Sequence, residues 1–446
     1  MSKRIHRLTH IQIISLGYLV MIAVGTLLLM LPAASATGES AGFRTAFFTS
    51  TSASCVTGLI LRSTAECWSF FGQAVILVLI QIGGLGFMTI AALFFIALNR
   101  RMGLRQRETM VESINLSRVD GIMKISRKIL VGTLLFEGSG AALLSIRFIP
   151  LFGVGKGIWY SVFHSVSAFC NAGFDIMGDY GGVSSLMYFH GDALVSGVIM
   201  LLIIIGGLGF IVWNDISVFG LRFRKYSTHS KLVLSVTAVL VFGGALLFFF
   251  LEGGCTGADK SVPTRVLEAL FSSVTARTAG FNTVSTASLS GASKLLTIVL
   301  MFIGGSPGST AGGIKTTTLT VLILATVAHT RGVKRPAVFG RSISGEAVRK
   351  SLCVFLINLT CALSSAFIIC WIQNTDVLDT LFETFSAIGT VGMSAGLTGQ
   401  LQPVPVYIIA LLMFIGRVGS VSFSMALLEK RRRAPVTYPE GEIIVG

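Results

Sequence analysis

Four short segments of this chain end in the same way. Phe48–Gly58, Phe163–Gly173, Phe271–Gly280 and Phe382–Gly392 share the pattern Phe, three residues, Ser or Thr, Ala, four residues, Gly. The third copy is one residue shorter between Ala276 and Gly280. No nucleophile–base pair and no pair of carboxylates accompanies them. What these residues offer is backbone. Glycine reaches angles that turn carbonyl oxygens towards an axis, and a ring of carbonyls replaces the hydration shell of a cation. A lone glycine between apolar helices reads as a packing contact. Four at one place in a repeat read as a ring with one glycine per loop.

Each segment lies between two apolar runs, and the runs that follow also echo one another: IQIGGLGF at 80–87, IIIGGLGF at 203–210, MFIGGSPG at 301–308 and MFIGRVGS at 413–420. Two motifs in fixed order, four times, define a repeat of span, polar hairpin, span. The spans are predicted at 11–32, 71–98, 127–147, 191–219, 231–251, 292–330 with an interruption, 350–371 and 405–428. Each hairpin opens on an amphipathic stretch, such as Phe47–Ala53 or Phe382–Ala387, too short to cross a bilayer of about 30 Å. A short helix aimed inward turns its partially negative C-terminus to the membrane centre, where it favours a cation. In the GGLG segments, close packing and pore lining are equally good readings.

Composition agrees. The 446 residues are 53% hydrophobic and 12% charged, which excludes an ordinary soluble domain. Of the 35 Lys and Arg, 25 cluster at 3–7, 100–128, 222–231, 331–350 and 430–433. The positive-inside rule puts these segments and both termini in the cytoplasm. It thereby accounts for the net charge of +15 without nucleic acid. Lys3, Arg4 and Arg7 before an apolar run imitate a signal peptide, but the run is long enough for a retained first span. The seven cysteines have no metal-ligand spacing, and a Cys67–Cys255 bridge between outer loops is a weak option. The predicted fold is an all-α integral membrane protein of four span–pore-loop–span repeats. It has eight transmembrane helices and four re-entrant pore helices around one central pore. The repeats fall at 1–98, 99–220, 221–330 and 331–446, the third with a broken second helix and the last with a cytoplasmic tail.

Residues 304–313 read GGSPGSTAGG, with five glycines and Pro307 in ten positions. They cannot continue a helix, yet apolar sequence flanks them, so they should line a water-filled cavity. Lys315 ends the interruption and Arg417 lies within the last span. An intramembrane cation is a functional candidate; snorkelling is the bland alternative for Lys315. Arg417 is expected to bond carbonyls of the loop and repel cations when the path is shut. Glu137 is read as a structural partner, and Arg277 as a residue behind the hairpin that bonds backbone or an acid such as Glu268. His164 is read as a packing residue rather than a metal ligand.

Together the repeats, the single glycines and the IGGLG and IGR elements resemble the Trk/Ktr/HKT superfamily of potassium transporters over nearly the whole chain. Within it the chain is most similar to a Ktr-type membrane subunit: the first repeat begins almost at once, and the tail YPEGEIIVG at 438–446 is Ktr-like. Cys55-Val56-Thr57-Gly58 also resembles the first half of the potassium-channel TVGYG filter. Carried over by motif, the resemblance implies an ion selectivity filter of Cys55, Val56, Thr57 and Gly58; Asn171, Ala172 and Gly173; Thr278, Ala279 and Gly280; and Thr390, Val391 and Gly392. Potassium would be held by filter carbonyls only. The resemblance further implies a gate of Gly304, Gly305, Ser306, Gly308, Gly312, Gly313, Lys315 and Arg417. It implies a homodimer in the plasma membrane and a cytoplasmic ring of nucleotide-binding regulatory subunits. The chain has no Walker A or dinucleotide fingerprint, so no cofactor is expected in it, and any nucleotide belongs to the partner. Sodium coupling is left open. The rival reading is an alternating-access carrier for another small solute or cation; such carriers have inverted repeats, whereas these repeats share one orientation. A membrane enzyme lacks the paired carboxylates or HExxH it would need.

Overall fold

The computed structural model describes residues 9–86, 122–178, 185–257 and 260–419. Among the described residues the regular elements are helices apart from a two-residue antiparallel ribbon, Ala337–Val338 with Arg341–Ser342, in the basic segment that opens the last repeat. Among the described residues, four helices contain runs long and apolar enough to cross a membrane. They are α1 (His10–Leu29), α4 (Ile122–Phe152), α8 (Thr228–Leu251) and α12 (Gly345–Gln373), the first span of each predicted repeat. Large apolar side chains remain on their outer faces, among them Phe250, Phe367 and Trp371, at 71%, 73% and 80% exposure. In a soluble protein such a surface would aggregate; here it faces lipid.

Each long helix is followed by a short one: α2 (Phe43–Ser54), α5 (Val154–Phe169), α9 (Val262–Thr275) and α13 (Val377–Gly389). These begin several residues earlier than their amphipathic cores suggested. At 12–16 residues they extend about 18–24 Å, less than a bilayer core. Their starts are set by local chemistry. The Asp376 carboxylate accepts from the N–H groups of Leu378 and Asp379, and α9 carries Pro263 in its first turn.

The following helices are α3 (Phe70–Leu85), α6 (Ala193–Leu208), α7 (Phe210–Phe219), α10 (Gly291–Phe302), α11 (Thr316–Thr330) and α14 (Pro403–Val418). The predicted span 191–219 is not continuous: α6 and α7 meet at 97°. The reason is Gly209, the last glycine of IGGLG, at φ +92° and ψ 148°. Gly86 and Gly419 stop α3 and α14 with nearly the same angles. The predicted continuations to 98 and 428, the basic segment up to residue 121 and the tail 438–446 lie outside the described residues.

Each repeat packs onto the next in a closed circle. α3 lies against α5, α6 against α9, α10 against α13, and α14 returns to α2. The first span and the short helix of one repeat meet through a recurring contact. Ser50, Ser165 and Ser273 donate to the carbonyls of Ile22, Glu137 and Val241. Three residues on, Gly25, Gly140 and Gly244 leave room for the hydroxyl; a Cβ there would come within 2.4–2.6 Å of it.

Candidate cation ring and intramembrane loop

The four glycines of the repeated motif converge. A Cβ built on Gly58 would lie 2.3 Å from the Ala172 carbonyl oxygen, and one on Gly173 would lie 2.6 Å from that of Ala279. For Gly280 the neighbour is the Val391 oxygen at 2.4 Å, and for Gly392 the Thr57 oxygen at 2.1 Å. Each glycine therefore touches the carbonyl preceding the next glycine, and the fourth contact closes on the first. All four have positive φ, from +68° to +94°. Two residues earlier in every loop a non-glycine residue is also left-handed: Val56, Asn171, Thr278 and Thr390. Two left-handed turns per loop reverse the chain within a few residues, bringing Thr57, Ala172, Ala279 and Val391 to equivalent, fully buried positions.

The hydroxyl of the motif holds this turn. In the first and fourth loops Ser52 and Ser386 accept from the N–H of Gly58 and Gly392, at 3.0 and 3.1 Å. In the second and third, Ser167 and Thr275 donate to the carbonyls of Phe174 and Phe281, at 2.7 and 2.6 Å. These four residues belong to the repeated pattern, which by itself assigns them no role; their recurring place six residues before the glycine, five in the third copy, is the available signal. The GGLG glycines turn out to be contact points. A Cβ on Gly83, Gly206 or Gly416 would meet the carbonyl of Ser54, Phe169 or Ile388 within 2.0–2.2 Å. Each of those carbonyls is four residues before a ring glycine.

Residues 303–315 separate α10 from α11, around the interruption expected at 304–313. The ends of the break are clipped together: Gly304 N–H donates to Ile314 and Thr316 N–H to Gly305. Between them the loop serves the end of α6. A helix stopped at Gly209 leaves its last carbonyls without helical partners; Ser306 N–H donates to Gly207 at 3.0 Å and Thr310 N–H to Gly206 at 3.2 Å. On its other side the loop presses on the fourth ring loop. A Cβ on Gly312 would lie 1.9 Å from Thr390 Oγ1.

Arg417 occupies the repeat position held by Gly84, Gly207 and Gly305 in the other copies. Its guanidinium donates to Thr310 in the loop and to Gly83 and Gly84, the last carbonyls of α3. A cation at a helix C-terminus is favoured by the dipole, so one side chain ties the loop to α3 and α14. Lys315 does not snorkel: its Nζ donates to Ala311 at 2.7 Å and is 3.5 Å from the Gly312 oxygen.

The other candidates separate from the ring in different ways. Glu137 accepts from the Gln81 amide at 3.2 Å, and Cys170 Sγ lies 3.9 Å from it, so it props the second loop from behind. His164 bonds the Tyr160 carbonyl at 2.7 Å and packs among Phe148, Phe163 and Phe281. The expected pairing of Arg277 with Glu268 or backbone does not occur. Lys260 Nζ donates to Glu268 at 2.7 Å and His190 Nδ1 lies 2.9 Å from the same carboxylate oxygen, while the buried Arg277 Nε has no partner. Cys67 and Cys255 are free thiols. Among the described residues no His, Cys and carboxylate cluster could hold a metal.

Residues 4–431 match the TrkH family, described as "Cation transport protein". The chain belongs to this family. It is therefore a multi-pass membrane transport protein and not an enzyme. The chain is 43% identical to the potassium/sodium uptake protein NtpJ of Enterococcus hirae, across all of this chain and 99% of that one. It is 37% identical to the Ktr system potassium uptake protein B of Bacillus subtilis, covering 99% and 97%. The fold resembles that of the potassium transporter TrkH from Vibrio parahaemolyticus, with a TM-score of 0.76 at 16% identity over 96% of this chain and 87% of that one.

Proposed function

We propose that this transporter takes up potassium across the plasma membrane through the four-loop ring, with the carbonyls of Thr57, Ala172, Ala279 and Val391 facing the ion path. The single observation that carries the reading is the cyclic closure, in which each ring glycine gives space to the carbonyl before the next. Carbonyls so arranged exchange for the hydration shell of a cation. The names of the relatives supply the ion: potassium in both, with sodium in one. The eight-span topology follows if the shorter second spans complete their crossings, with α2, α5, α9 and α13 as re-entrant pore helices. Both termini are then cytoplasmic.

The loop 303–315 is the gate in this reading, and Arg417 and Lys315 hold it shut. Three bonded carbonyl sites on two elements make Arg417 the main latch. No cofactor is assigned to this chain. It acts as a homodimer, and nucleotide-binding regulatory subunits dock on its basic cytoplasmic segments, of which 331–350 carries Arg331, Lys334, Arg335, Arg341, Arg349 and Lys350. The function is tested by expressing the chain in a bacterium deficient in potassium uptake. Growth restored on low potassium, and lost on substitution of the ring glycines, is the expected result. Failure to restore growth by a chain that reaches the membrane together with its regulatory partner would refute it.

A further inference from the structure

Arg277 is a buried cation with no bond to justify it. It lies three residues before Gly280, is 7% exposed, and its Nε has no partner. The acid that sequence reasoning offered it belongs to Lys260 and His190. An intramembrane guanidinium is too costly to bury without acceptors unless another state supplies them. Arg277 borders a cavity of about 10 Å³ with Ile203, Ile204 and Gly207 of α6, Thr237 of α8, Val274 and Gly305. That is room for roughly one water. The Thr237 hydroxyl is also without a partner.

One acceptor on the same cavity is informative. The Gly207 carbonyl ends α6, and Ser306 N–H of the intramembrane loop now satisfies it. When that loop leaves, Gly206 and Gly207 lose their donors, and buried carbonyls left bare are costly. The donor without an acceptor and the acceptor about to lose its donor line the same cavity. Arg417 holds the loop from the junction of the fourth and first repeats, whereas Arg277 stands at the junction of the second and third, across the ring.

We propose that Arg277 is a positioning residue for transport: it takes over the α6 carbonyls vacated by the loop and so stabilises the open gate. The inference rests on the gate reading above. Arg417 and Arg277 then bias one two-state equilibrium in opposite directions. Losing a hydrogen bond from a charged donor shifts such an equilibrium roughly tenfold or more.

The test is potassium flux in proteoliposomes for wild type, Arg417→Ala, Arg277→Gln, Arg277→Lys and the Arg277→Gln/Arg417→Ala double variant. Arg417→Ala should raise flux. Arg277→Gln should lower maximal flux about tenfold and leave the sodium-to-potassium preference unchanged. Arg277→Lys should fall between Gln and wild type, and the double variant between the two single ones. An unchanged Arg417→Ala flux would sink the gate reading itself. A raised Arg417→Ala flux with Arg277→Gln at or above wild type would sink only this inference. So would an altered ion preference at full flux, which would make Arg277 a prop for the ring. Should Arg277→Gln not fold, Arg277→Lys decides: flux equal to wild type overturns the proposal.

Discussion

Replacing Gly58 with serine puts a Cβ 2.3 Å from the Ala172 carbonyl oxygen, where ordinary contact begins near 3.4 Å. The neighbouring loop must therefore give way by about 1 Å. A non-glycine residue at φ +94° adds its own strain. Strain of roughly 1–3 kcal/mol and overpacking of roughly 1–3 kcal/mol together exceed what a ring of four loops can absorb unnoticed. If about 1.4 kcal/mol of this falls on ion coordination, the apparent KM for potassium rises about tenfold, and a distorted ring admits more sodium. The same geometry grades the series. Gly392 has the closest carbonyl, at 2.1 Å. Gly173 has the most distant, at 2.6 Å, and a φ of +68° that other residues tolerate best. Serine should be worst at 392 and 58 and mildest at 173. Potassium-dependent uptake kinetics with sodium competition, measured for all four variants, check this. Four variants with wild-type KM and ion preference would show that the ring is not the ion path, and a series in which 173 is worst would refute the steric argument.

Ser52→Ala removes the acceptor of the Gly58 N–H and should cost about 1 kcal/mol in the loop; this would appear as a several-fold rise in KM with maximal flux retained. Arg417→Ala, or shortening of 304–313, should raise basal flux and weaken its dependence on the regulatory partner; liposomes assayed with and without that partner report it, and a folded variant with unchanged flux would make the loop structural. Asp175, two residues beyond Gly173 and half-buried, faces outward in the proposed topology and has its carboxyl pushed up to about 6 by burial against the bonds from Met177 and Ser185. The charged form is thus lost as external pH falls through 6, and with it a negative charge beside the ring. Potassium KM should rise between pH 7.5 and 5 in wild type, and Asp175→Asn should flatten the profile.

Much of this was legible in the residues. The motif carries its own local geometry: the glycine and the hydroxyl six residues earlier, five in the third copy, make one turn, so a spacing pattern is enough to find it. The break at 304–313 was legible for the same reason, since Gly and Pro act on their own backbone. What the sequence hid was long-range. Nothing near Arg277 says that Glu268 is already taken by Lys260 and His190, because the three meet only after α9 packs beside the outer loops. The sequence reads as continuous helix through Gly209 because IIIGGLGF is apolar throughout, while its φ of +92° is supported by the loop that caps α6. The recurring contacts of Gly25, Gly140 and Gly244 with the serines were findable by aligning the first spans as well as the second. The order in which the loops close had no local signal.

Potassium and sodium fluxes through the purified transporter in proteoliposomes, driven by imposed gradients of each ion, address the central claim. With Arg417→Ala to open the path, potassium should cross in preference to sodium, and Gly58→Ser in the same background should erode that preference. No cation flux from a folded Arg417→Ala protein, or a preference that survives substitution of all four ring glycines, would contradict the assignment of the four-loop ring as the site of potassium selection.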